Sequence, residues 1–382
     1  MHVDKEAPIL LQPFLFGDLE LSNRIVMAPL TRMRAPLKGA VPNTLMREYY
    51  EQRATAGLIV SEGTFVSDQA RGWYGVPGVY TETQRKGWQE VTSAVHAAGG
   101  RIIVQIWHQG SVSNAALVGR GRLPLAPSAV NPEQLLHIGY GLTEMTSVPE
   151  AMSLEDIKQT IAEFRHASIV ARGAGFDGVQ TQGGYVYLFQ QFFQENLNLR
   201  SDAYGGTIEN RSRLLFEVLD AVLEVWPANR VGVKAGPMMS ERGGFRSIPS
   251  TLPTSEYVYR RLNDYGLSHV MLMRQMADLQ GTPLQEFQGD GVLHHFRKLY
   301  SGTLMLNAGI DASHGEELLR QGLGDLVAFG RDYIANPDLV ERIRVMGPLN
   351  EQRPEGYYGA TSAGYTDYPT LAQIPNGEIQ HV

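Results

Sequence analysis

The segment TETQRKGWQEVTSAVHAAGGRIIVQIWH, residues 81–108, decides the fold. Its first part reads as a helix that opens on Thr81 as N-cap and stops at Gly99 and Gly100. The following RIIVQIWH (101–108) is a short, β-branched apolar run, the kind that is buried on both faces of a parallel sheet. The same alternation recurs along the chain. Strand-like runs are RIVMAPL (24–30), GLIVSEG (57–63), DGVQTQ (177–182), RVGVKAG (230–236), HVMLMR (269–274), LMLNAG (304–309) and DLVAFGR (325–331). Helical patterns lie between them, such as SLEDIKQTIAEFRHASIVARG (153–173) and ENRSRLLFEVLDAVLEVW (209–226). Ser153 with Asp156 three residues on is close to a capping box, and Gly173 and Gly175 end that helix. Eight strands, each followed by helical sequence, predict an α/β fold of (β/α)8 TIM-barrel type rather than an open doubly wound sheet.

Three segments depart from the repeat. Residues 9–22 read as an N-terminal hairpin that plugs the barrel bottom. Residues 109–152 form a long, Pro- and Gly-rich excursion after strand 3, a length usually tied to function. Residues 348–382 carry tyrosines among Gly and Pro and are too aromatic for a disordered tail. No linker or charge run interrupts the chain, which is expected to form a single domain over 1–382.

Composition narrows the function. Forty acidic against thirty-three basic residues leave a net charge of −7, which argues against a nucleic-acid partner. The chain has no cysteine, which excludes disulfides, iron–sulfur clusters and thiolate nucleophiles. No apolar run approaches the ~18 residues of a membrane span, and MHVDKEAPIL lacks the pattern of a signal peptide. A cytoplasmic enzyme with a small-molecule substrate is expected, with no membrane association.

In (β/α)8 barrels the active site lies at the C-terminal strand ends. That rule selects Thr31, Glu62, Gly63, Gln105, Trp107, His108, Gln182, Lys234, Arg274, Gly309, Gly330 and Arg331. Gly309 and Gly330, with Arg331 and the helix starts that follow, suit a phosphate, although such glycines also serve tight turns. Glu62 reads equally as a general base and as a buried structural acid. Gly173, Gly175 and Gly178 match G-x-G-x-x-G, but they end a helix and precede a strand, the reverse of a dinucleotide fingerprint. No metal-binding motif occurs, and His294 and His295 read as surface residues.

The segments APLTRMR (28–34), SEGTFVS (61–67), VQIWHQG (104–110), NLRSDAYGGTIENRSR (198–213), LVAFGRDYIANPDL (326–339) and GYTDYP (364–369) resemble the Old Yellow Enzyme family, the FMN-dependent ene-reductases. The resemblance runs through essentially the whole chain in order. It implies noncovalent FMN, NADPH as reductant sharing the substrate pocket, and reduction of a C=C bond activated by a carbonyl or imine. Thr31 then matches the residue that hydrogen-bonds flavin O4, and Gly63 and Gln105 match contacts to the ring edge. Gly309, Gly330 and Arg331 match the phosphate site, and Trp107 and Tyr358 match the aromatic pocket wall. Lys234 falls where the family usually has an arginine facing N1 and O2, so it keeps the charge but loses the planar fork.

Strand four departs from the family. Its pattern G-V-E-(I/V)-H-x-A-(N/H)-G-Y-L-x-x-Q-F is here GVQTQGGYVYLFQQF (178–192). Gln182 stands for the histidine and Tyr185 for the asparagine or second histidine that grip the substrate oxygen. Gln180 stands for the acid, while the proton-donating tyrosine is kept as Tyr187. Gln182 can still donate from its amide and Tyr185 from its hydroxyl. The resemblance therefore implies either an ene-reductase with an altered grip or an FMN-bound isomerase or biosynthetic enzyme using Tyr187 or Tyr185 for proton transfer without net reduction.

Overall fold

In the computed structural model, which describes residues 7–119, 121–237, 243–282 and 284–374, eight parallel strands close on themselves. In chain order they are β1 Ile25–Met27, β2 Leu58–Phe65, β3 Ile102–Trp107, β4 Val179–Gln182, β5 Val231–Ala235, β6 His269–Met273, β7 Leu304–Asn307 and β8 Leu326–Phe329. Every strand pairs with its successor, and β8 pairs with β1 through Val327–Ile25, Ala328–Val26 and Phe329–Met27. The expected TIM barrel is the observed one.

The helices after the strands are α1 Thr44–Glu51, α2 Glu82–Ala97, α3 Leu154–Gly173, α4 Ile208–Leu223, α5 Thr251–Leu262, α6 Gly291–Arg297, α7 Ala312–Arg320 and α8 Leu339–Val345, the last preceded by a turn of helix at Arg331–Ala335. Both expected N-caps form complete capping boxes, Thr81 with Gln84 and Ser153 with Asp156. Each satisfies backbone N–H groups that the first turn leaves without partners. The helices bury apolar faces such as Trp88, Val91 and Val95 of α2 against the outer faces of the strands.

The N-terminal hairpin pairs Phe14–Phe16 with Leu19–Leu21. Phe16, Leu19 and Leu21 pack into a second core with the inward-facing Val26, Leu58, Val60, Ile103, Met271, Met305 and Leu326. The hairpin thus seals the barrel floor, as its position before β1 suggests. The excursion after β3 contains an antiparallel hairpin, Leu135–Gly139 with Leu142–Met145, and a two-residue parallel pair, Leu125–Ala126 with Glu150–Ala151.

The C-terminal segment is tied down from β1. Arg32 donates to the carbonyls of Tyr357 (3.0 Å), Gly356 (3.3 Å) and Gly364 (2.6 Å). Arg34 donates to Gly356 (3.0 Å), Tyr357 (3.1 Å) and Ala363 (2.9 Å). The Arg32 guanidinium lies over the rings of Tyr49 and Tyr365, which stack 4.0 Å apart. Residues 375–382 of the expected aromatic tail lie outside the described residues.

Phe16 is 1% exposed at the centre of the floor. Phe16→Ala should lower unfolding free energy by about 3–5 kcal/mol, read as a reduced urea midpoint at unchanged slope.

Candidate active site

Among the described residues, two cavities open at the C-terminal strand ends. The ring-side cavity, about 140 Å³, is lined by Pro29, Thr31, Gly63, Gln105, Trp107, Gln182, Tyr185, Tyr187, Lys234 and Met273. The second, about 530 Å³, is bounded by the ends of β1, β7 and β8, including Asn307, Gly309, Gly330, Arg331 and Gln352. Pro29 and Lys234 border both. Of the cofactor and catalytic residues expected from the sequence, all ten line one cavity or the other, as does Trp107.

Local backbone explains several placements. Between Val60 and Gly63 the β2–β3 register shifts, and such irregularities re-aim strand ends beside active sites. A Cβ at Gly63 would lie 1.7 Å from Trp107 Cε3, so the glycine makes room for the indole ring. Trp107 in turn packs on Tyr187 with centroids 4.7 Å apart. Gly309 has φ +64° and follows Ala308 at φ +78°, a left-handed turn that carries the chain away from β7.

Tyr185 is more unusual. It has φ +63° and is half exposed, a conformation that asparagine tolerates and a bulky side chain does not. The strain, of order 1–3 kcal/mol, sits at the position where this chain departs from the Old Yellow Enzyme pattern. Nothing in a single sequence marks that residue as left-handed.

The electrostatics follow from burial. Lys234 is buried, its ammonium makes no hydrogen bond or ion pair with the described residues, and desolvation holds its pKa down to about 8. Burial raises the Tyr187 hydroxyl well above the usual phenol range, so it keeps its proton at ordinary pH. Gln182 Oε1 is buried without a partner among the described residues. Arg331 is exposed, and its guanidinium forms no hydrogen bond or ion pair with them. Asp311 also borders the larger cavity, but its carboxylate accepts from His314 N as the cap of α7.

Two expectations need adjustment. Tyr358 does not line the ring-side cavity. It forms an aromatic group with Trp73 of the β2–α2 loop (5.5 Å) and His137 of the excursion hairpin (5.2 Å), and burial, with Tyr185 nearby, raises its hydroxyl pKa. Glu62 lines neither cavity: it is 1% exposed, accepts from Tyr50 Oη and Arg32 N at 3.4 Å, and burial lifts its pKa to about 7. Of its two readings, the structure supports the buried structural acid. Met273, Pro29 and Asn307 at strand ends and Gln352 in the C-terminal segment were not anticipated, because such ordinary side chains carry no motif.

The shape and chemistry fit a flavin mononucleotide. The Lys234 ammonium, without an ion-pair partner among the described residues, stands where the cavities meet, a guanidinium borders the larger one, and amide, hydroxyl and aromatic groups line the smaller. Residues 9–350 match the model of the NADH:flavin oxidoreductase / NADH oxidase family. The chain is 38% identical over 369 residues to 12-oxophytodienoate reductase 1 of Oryza sativa subsp. japonica, covering 96% of this chain and 94% of that one. It is 34% identical to 12-oxophytodienoate reductase 2 of Arabidopsis thaliana, covering 96% and 97%. Among solved structures, morphinone reductase in complex with tetrahydroNAD superposes with a TM-score of 0.87 at 37% identity, covering 98% and 100%. The Old Yellow Enzyme homologue from Zymomonas mobilis gives 0.88 at 35%, covering 95% and 100%.

The chain therefore belongs to the NADH:flavin oxidoreductase / NADH oxidase family. Within it, the protein is an Old Yellow Enzyme-type, FMN-dependent NAD(P)H oxidoreductase acting on activated C=C bonds. No helix among the described residues is long and apolar enough to cross a membrane.

Because the folded Lys234 pKa lies below the unfolded value, the folded apoprotein binds fewer protons between about pH 8 and 10.5 and gains stability as pH rises through that window. Lys234→Met should remove that slope and stabilise the FMN-free protein at pH 7 by about 3 kcal/mol, as measured by urea unfolding across pH.

Proposed function

We propose that this single FMN-binding barrel domain, working in the cytoplasm with NADPH, reduces an activated alkene larger than a simple cyclic enone. The observation that carries this reading is the wall of the ring-side cavity. Gln182, Tyr185 and Tyr187 converge there, with Tyr185 held in a left-handed conformation.

Arg331 and the strand ends at Gly309 and Gly330 would hold the FMN phosphate. Thr31, Gln105 and Lys234 would face the ring, with Gly63 opening space beside it. When bound, FMN supplies the hydride that reaches the alkene. The Gln182 amide, whose oxygen is buried, is left with its N–H groups to donate to the substrate carbonyl. The Tyr185 hydroxyl is the second donor for that oxygen, replacing a two-point grip by one of different reach. Tyr187 holds a proton for the α-carbon, and its raised pKa keeps it in the protonated form. The aromatic group of Trp73, His137 and Tyr358 gives a larger substrate a surface beyond the reacting atoms. Binding energy from that remote part offsets a weaker hold on the carbonyl.

Net reduction is favoured over isomerisation by the family to which the chain belongs. The test begins with anaerobic NADPH, which should bleach the yellow protein; enones are then added to follow reoxidation. Bleaching with no alkene able to reoxidise it would return the reading to an isomerase.

Tyr187→Phe should lower the alkene-dependent oxidative rate by about 10²–10⁴-fold, with NADPH bleaching unchanged. The pair Gln182→His and Tyr185→Asn should raise turnover of small cyclic enones. Unchanged enone turnover would mean that the two side chains only pack the loop after β4.

A further inference from the structure

A line of buried polar side chains crosses the barrel interior from the floor to the ring-side cavity. Ser268 Oγ donates to Val231 O at 2.9 Å and lies 3.0 Å from His269 Nδ1. With its proton committed to that carbonyl, the hydroxyl oxygen accepts from Nδ1–H. The imidazole, held neutral by burial with a pKa of about 3, then carries its proton on Nδ1 and leaves Nε2 as an acceptor. Gln180 Nε2 donates to it at 2.6 Å. Gln180 Oε1 accepts from Gln105 Nε2, also at 2.6 Å. Gln105 Oε1 takes no hydrogen bond from the described residues, and Gln105 lines the ring-side cavity. All four side chains are nearly or wholly buried.

The direction of this chain has a consequence at its upper end. An amide can present either its oxygen or its nitrogen, and a free glutamine would sample both. Here each link fixes the next, so the orientation of Gln105 is set about three side chains away. The imidazole is itself located by two neighbours. Gly232 vacates its space, since a Cβ there would lie 1.9 Å from His269 Cε1, and the floor residue Phe16 packs on the ring at 5.1 Å. The usual acid of the family at position 180 could only accept. The glutamine here accepts from Gln105 and donates to His269, which gives the line its direction.

We propose that Gln180, His269 and Ser268 are positioning residues that fix the Gln105 amide with its carbonyl outward, so that the cavity presents an acceptor to the N3–H of the isoalloxazine. N3–H is the only N–H donor on an oxidised flavin ring, so an outward carbonyl selects it. The proposal rests on the reading that Gln105 faces the flavin.

The test uses apoprotein reconstituted with FMN carrying ¹⁵N at N3, reading the N3–H proton by NMR and FMN affinity by fluorescence quenching. His269→Phe keeps the ring against Phe16 but removes the acceptor. Ser268→Ala lets the imidazole move its proton to Nε2, which reverses every link and turns the Gln105 NH₂ outward. Both variants should move the N3–H signal upfield from its wild-type position and weaken FMN binding, by about tenfold for His269→Phe. If one variant fails to fold, the other decides.

An N3–H signal that stays in place in a folded variant overturns the proposal, whatever the affinity does. Gln105→Leu separates the two layers. If it leaves the signal unmoved, Gln105 does not face N3 and the underlying reading fails. If it moves the signal while neither positioning variant does, only the positioning role fails.

Discussion

The pairing of β8 with β1 is the constraint on which the remaining architecture depends. A parallel sheet covered by helices still carries two edges if it stays open, and closing the ring removes both at once. Closure also gathers the strand ends onto one rim. Thr31 after β1 and Arg331 after β8, three hundred residues apart in the chain, come to border adjoining cavities for that reason. A slip of this one pairing would separate the phosphate side of the site from the ring side.

The same rim accommodates charge that an apolar barrel would otherwise reject. Arg32 and Arg34 are buried within it, and their guanidinium groups are satisfied by main-chain carbonyls of the C-terminal segment and by flat tyrosine faces rather than by carboxylates. The planar fork reaches several carbonyls together, and the buried Glu62 carboxyl lies close enough to both guanidinium groups to interact with them electrostatically. Lys234 has no such partners among the described residues, which marks it off from the structural cations. Its burial is tolerable in a protein built to meet a ligand carrying electron-rich atoms.

Much of this was legible in the sequence because the signals are local. The β-branched runs, Thr81 and Ser153 before their helices, and Gly309 and Gly330 after their strands each act within a few residues, and the structure keeps them within two or three positions of their expected bounds. The cofactor-side residues were legible for a second reason, since strand ends of a barrel converge whatever lies between them. What could not be read depends on contacts made across the barrel. That Tyr358 packs on Trp73 of the β2–α2 loop and His137 of the excursion hairpin is one such contact, which no pattern near 358 announces. The left-handed Tyr185 and the line from Ser268 to Gln105 belong to the same class: their residue types are ordinary, and only the register of β3, β4 and β6 makes them neighbours.

The floor hairpin bears on how the molecule assembles. Phe16, Leu19 and Leu21 precede every barrel strand in the chain, yet their seat is built from residues as distant as Met271, Met305 and Leu326. An element whose partners lie some three hundred positions downstream cannot dock until nearly all of the barrel has emerged from the ribosome, because long loops must close before such contacts form. During synthesis its apolar face therefore waits, exposed, as an early-made surface open to chaperone capture or misassociation. Truncated or stalled chains lacking β7 and β8 would leave that face permanently uncovered.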